Sequence, residues 1–146
     1  MPIMARKEIE MEKLLSTNSF STPIYVGMFL ILTAIIGLVA NLAGIWIPAI
    51  YIDFQANANN SETNVIAGAD ATLVAMFICS PIALVTGPIS GIVGGVVSTY
   101  LAMRYKSDST LLHWVSGSIG AGLTGFVVGV LPFAAIYLYD AIFASI

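Results

Sequence analysis

Between Pro23 and Ile50 the chain carries no charged side chain, and the run is longer than the roughly 20 residues needed to cross a hydrocarbon core. A segment of that kind is a membrane span, and it sets the solvent in which everything else must fold. The rest of the chain agrees: hydrophobic residues make up 58% and charged residues 9%, and the mean hydropathy is +0.95. The apolar residues come in long blocks, without the one-sided periodicity of a surface helix, so 146 residues of this composition read as one membrane-embedded domain. Tyr25 near one end of the first span, and Trp46 with Tyr51 near the other, fit the aromatic belts of the two interfaces.

A second feature says how the spans associate. From Leu84 to Leu131 small residues recur at every fourth position, first as Gly87, Gly91, Gly95 and Thr99, then as Gly117, Ala121, Gly125 and Gly129. The two arms are joined by the polar stretch from Tyr105 to Thr110. Lipid tails are as apolar as leucine, so helices in a bilayer associate by close van der Waals packing, which such small-residue stripes allow. The expected fold is therefore all-α and polytopic, about four transmembrane helices including a glycine-striped antiparallel hairpin.

Residues 1–22 form a separate unit. Ile3, Met4, Met11, Leu14 and Leu15 fall on one side of a helical wheel, with Arg6, Lys7, Glu8, Glu10, Glu12 and Lys13 around the rest. This predicts a retained amphipathic helix on the membrane surface, not a secretory signal, with its bases and acids cancelling. Residues 23–146 are expected to be the transmembrane bundle. In its second part, a helix is expected over about Val65 to Cys79 and another continuing to about Arg104, with the chain reversal placed between the breakers Ser80-Pro81 and Gly87-Pro88, where Ile82 to Thr86 is read as turning, re-entering or continuing as a distorted helix. A fourth helix is expected to begin after Asp108 or Ser109, beside the interfacial His113-Trp114 pair, and to continue past a kink at Pro132, with a re-entrant or lipid-plane segment as the alternative for Phe133 to Ile146.

Topology is finely balanced on this reading. Four crossings place Arg6, Lys7 and Lys13 on one side and Arg104 with Lys106 on the other. A single crossing between Val65 and Arg104 would gather all five on one side, but those roughly 40 residues are nearly twice what one crossing needs. Four spans, with the N-terminal segment cytoplasmic, is the expectation.

Composition also narrows the chemistry. A net charge of −3 with five Lys and Arg argues against nucleic acid as a partner. One cysteine, Cys79, and one histidine, His113, leave any zinc or haem site short of ligands, so neither metal nor cofactor is expected. No pair of carboxylates, histidine cluster or phosphate-cradling loop suggests an enzyme. Two polar residues stand out within apolar runs. Asn41 is expected to hydrogen-bond to another helix, or else to line a polar path. Asp70 either reaches the headgroups near a helix start or is a working intramembrane carboxylate. Asn59-Asn60-Ser61 matches the glycosylation acceptor pattern, a short pattern read as coincidence.

The sequence from Ser80-Pro81 through Gly91-x-x-Gly94-Gly95 and Tyr100-Leu101, with a glycine-striped helix after the loop, resembles small glycine-rich multi-span membrane proteins of haloarchaea and of pleomorphic archaeal viruses. That resemblance covers roughly residues 80–131 and implies a membrane protein without an assigned activity, located in a cell membrane or a viral envelope. Four short spans with little charge bias also look like small multidrug-resistance transporters, whose working carboxylate lies in the first span, where this chain has Asn41. Two functions follow as expectations: a structural or assembly protein in contact with lipid, packing with copies of itself or with other membrane subunits, and a small oligomeric transporter or channel using Asp70 and Asn41.

Overall fold

The computed structural model describes residues 23–58, 72–105 and 109–143. The N-terminal amphipathic segment, Asp70, and the acceptor pattern at Asn59 lie outside the described residues. Among the described residues, three helices make up the fold. Helix α1 is Pro23–Ala58 and helix α2 is Ser80–Arg104, extended at its start by a π-helical turn, Ala75–Cys79. Helix α3 is Thr110–Phe143. Each contains a segment long and apolar enough to cross a membrane: Pro23–Gln55, Thr72–Arg104 and Thr110–Ala135.

The described residues thus hold three helices of spanning length, where the sequence led us to expect four. The difference lies at Ser80 to Pro88. Instead of reversing there, the chain runs as one continuous helix from Thr72 to Arg104. The physical reason is the cost of irregular backbone in hydrocarbon, where every unpaired N–H or C=O costs several kcal/mol. A reversal would expose a whole turn of such groups, whereas a proline removes one N–H. Pro81 would drive its ring into the carbonyl of Phe77 in a regular α-helix. Just before it the helix widens: the Ser80 N–H bonds back five residues to the Ala75 carbonyl, and Ser80 Oγ donates to the same oxygen at 2.6 Å. Pro48, Pro88 and Pro132 are likewise carried inside their helices.

The direction of each helix follows from which residues meet. Along α1 and α2 the partners run in opposite order, Thr33 at Gly95, Gly37 at Gly91 and Asn41 at Gly87, so this pair is antiparallel. Helix α3 runs with α1, since Phe29 meets Gly117, Gly37 meets Gly125 and Asn41 meets Gly129. The result is an up-down-up bundle in which all three pairs of helices touch.

Its interior is inverted in size relative to a water-soluble core. The largest fully buried side chains are Asn41 and Thr33, with Ala49, Ala75, Ala83 and Ala121 buried beside glycine. Large aliphatic residues face outward, among them Ile31, Val39, Leu84, Val85 and Leu123, each more than half exposed. Burying threonine while exposing isoleucine is unfavourable in water. In a bilayer the outward aliphatics are solvated by lipid, and the small interior residues let backbones approach. The ends are closed by bulkier groups. Phe29 lies over Gly117 and meets the Trp114 ring edge-on, with centroids 5.6 Å apart. At the other end Ile45, Ala49, Cys79, Ala83 and Phe133 form an apolar cluster.

Candidate functional site

Because the interior is where the three helices meet, the candidate site is the seam itself. In α1 the buried face repeats every fourth residue as Phe29, Thr33, Gly37, Asn41, Ile45 and Ala49. In the second helix it repeats as Ala75, Cys79, Ala83, Gly87, Gly91, Gly95 and Thr99, and in α3 as His113, Gly117, Ala121, Gly125, Gly129 and Phe133. A period of four exceeds the 3.6 residues of a turn, so each stripe drifts by about 40° per step around its helix. Helices that keep such stripes in contact must cross at an angle, the arrangement that small-xxx-small motifs support.

Gly37 is the centre of the seam. A Cβ placed there would strike the backbone of Gly91 and Gly87, and one placed at Gly125 would strike the Gly37 backbone. All three helices therefore converge where none of them has a side chain. The neighbouring levels are built in the same way. Gly87 faces the Leu38 Cα and the Asn41 Cβ, Gly129 faces the Asn41 backbone, and Gly95 faces the Thr33 side chain. Gly44, on the next turn of α1, packs against Phe126 and Gly129. The second and third helices meet through a parallel line of contacts, Gly94 with Gly120 and Thr124, and Gly120 with Ser98.

The eight stripe residues expected from sequence are all buried in this interior. Their main partner is nevertheless the stripe of α1, not one another. Sequence reasoning missed that third stripe because its members differ in size and chemistry, from phenylalanine through threonine to glycine and asparagine. The signal was the four-residue spacing of Thr33, Gly37 and Asn41.

The buried polar residues Asn41, Thr33 and Thr99 are tied into the packing, whereas Thr72 Oγ1 is buried with no hydrogen-bond partner among the described residues. Asn41, 1% exposed, donates from Nδ2 to Thr86 Oγ1 at 3.2 Å, and Thr86 Oγ1 donates in turn to the Ile82 carbonyl at 3.1 Å. Thr33 Oγ1 donates to the carbonyls of Phe29 and Leu30. Thr99 Oγ1 crosses to the His113 carbonyl at 3.2 Å, and Thr124 Oγ1 crosses to the Ser90 carbonyl at 2.8 Å. Interhelical hydrogen bonds of this kind contribute about 0.6 kcal/mol each on average. They fix register more than they supply stability.

Beside the Asn41–Thr86 pair lies a groove of about 540 Å³, lined by Ile45, Val74, Ile78, Ala83, Val128 and Leu131 among others. Its walls are apolar, and the amide and hydroxyl at its edge already bond to each other. Asp70, the other polar residue singled out from sequence, lies outside the described residues. Comparison of the chain with protein-family models, curated proteins and solved structures gives no match.

Proposed function

We propose that this chain is a structural or assembly subunit of a membrane, a compact helical bundle that packs with copies of itself or with other membrane subunits. The observation that supports this most is how the buried polar groups are used. Asn41, Thr33 and Thr99 are occupied in bonds to neighbouring helices or to their own backbone, which leaves the seam a packing surface and not a path for a solute. A transporter needs a polar group that changes partners during a cycle, and among the described residues the apolar groove beside Asn41 is the feature that favours such a reading. Its single amide bonds a threonine of the adjacent helix, so we rank transport second.

Purification of the full chain in mild detergent, followed by native mass measurement, tests the proposal. The expected result is an assembly larger than the 15.4 kDa chain, either a homo-oligomer or a complex with a second membrane protein. Reconstituted in liposomes with a pH gradient, the same preparation is expected to carry no proton flux. A solitary monomer, together with a flux lost in Asn41→Ala, would replace the structural reading with the transport one.

A further inference from the structure

Three crossings in an up-down-up order change where the charges fall. The start of α1, the end of the second helix and the start of α3 share one end of the bundle. Arg6, Lys7 and Lys13 precede α1 in the sequence, Arg104 ends the second helix, and Lys106 follows it in the sequence before α3 begins. By sequence adjacency to that end of the bundle, the five basic residues of the chain are assigned to one face, together with the acids Glu8, Glu10, Glu12 and Asp108. The opposite face receives Asp53, Glu62, Asp70 and Asp140 and no lysine or arginine. One face nets +1 and the other −4.

We infer that the protein inserts in one fixed orientation, with residues 1–22 and the turn at 105–109 in the cytoplasm and residues 59–71 on the outer side. Orientation is set by lysine and arginine in short loops and within about 15–20 residues of the span ends, and acids contribute little. Every base here meets that condition, and the count is five against none. The inference rests on the continuous helix Thr72–Arg104, because a reversal inside it would move Arg104 and Lys106 to the other face. It is independent of what the bundle assembles with.

Cysteine accessibility in whole cells tests it. In the full chain with Cys79→Ala, single cysteines are placed by Ser16→Cys, Asn59→Cys or Ser107→Cys and treated with a membrane-impermeant maleimide. Asn59→Cys is expected to label in intact cells, and the other two only after permeabilisation. The reverse pattern overturns the orientation. Labelling of Asn59→Cys and Ser107→Cys together, opposite Ser16→Cys, overturns the three crossings. Labelling of every site in intact cells overturns a fixed orientation. A charge transplant checks the cause: Arg104→Gln and Lys106→Gln combined with Asn59→Lys and Asn60→Lys leaves three bases facing two. That variant is expected to insert in both directions, and retention of a single orientation would show that these bases do not set it.

Discussion

Gly37→Leu is expected to abolish the folded bundle, and Gly91→Leu and Gly125→Leu to come close to doing so. At Gly37 even a Cβ meets the Gly87 and Gly91 backbone, while the Gly37 backbone itself fills the space a Cβ at Gly125 would need. Overpacking a core typically costs about 1–3 kcal/mol when side chains can shift. Here the obstacle is main chain, that of the second helix for a side chain at Gly37 and that of α1 for one at Gly91 or Gly125, so the helices themselves must separate, and the pair that separates loses its contacts along the stripe. Two glycines serve as internal controls. A Cβ at Gly27 meets nothing within 4 Å, and one at Gly122 meets only Ile36 Cγ2 at 3.7 Å. Gly27→Leu and Gly122→Ala should therefore melt with the parent. Size-exclusion profiles of fluorescently tagged protein, taken after heating in mild detergent, give the comparison. If Gly37→Leu keeps the parent's profile and midpoint, the seam is not what holds the helices. The glycines would then reflect only their general frequency in membrane helices.

Asn41→Asp should be nearly as damaging, for an electrostatic reason. Asn41 lies near the middle of Pro23–Gln55, is 1% exposed, and has the backbone at Gly129 and the Cα of Gly87 against it. A carboxylate at the centre of a spanning helix costs on the order of 3 kcal/mol even on the most lenient scale. Among the described residues, the seam beside position 41 offers a threonine hydroxyl and no lysine or arginine to offset that. Asn41→Ala, which loses one hydrogen bond and leaves a small void, should cost far less, on the order of 1 kcal/mol. The two variants are compared by yield of inserted protein and by melting midpoint. An Asn41→Asp protein as stable as the parent would mean that position 41 faces water, and the ranking of packing above transport would have to be reversed.

Much of this architecture was legible in the chain. The uncharged run after Pro23 announced a span, and the four-residue recurrence of Gly87, Gly91, Gly95, Gly117, Ala121, Gly125 and Gly129 announced a packing surface. The continuous helix from Thr72 to Arg104 was harder to read, because Ser80-Pro81 and Gly87-Pro88 carry the same local chemistry as chain-reversing breakers in a water-soluble protein. What decides between kink and reversal is the surrounding medium, which a local motif does not record. The stripe of α1 went unseen for a related reason. Its interior positions mix Thr33 and Asn41 with Gly37, and hydroxyl or amide groups look like exceptions until their partners, the Phe29 carbonyl and Thr86, are placed beside them. The Thr124 to Ser90 contact, between residues 34 apart in sequence, had no local signature at all.

The claim on which the bundle, its seam and its orientation all depend is that the chain from Thr72 to Arg104 crosses once. Leu73 and Met103 lie near the two ends of that helix, and both are about half exposed, so spin labels there leave the interior undisturbed. With Leu73→Cys and Met103→Cys in a Cys79→Ala background, pulsed electron-electron resonance in liposomes reads the distance between them. A continuous helix at 1.5 Å per residue predicts about 45 Å between the labelled positions. A distance below about 25 Å, too short for that rise, would show that the helix folds back on itself and would contradict the account.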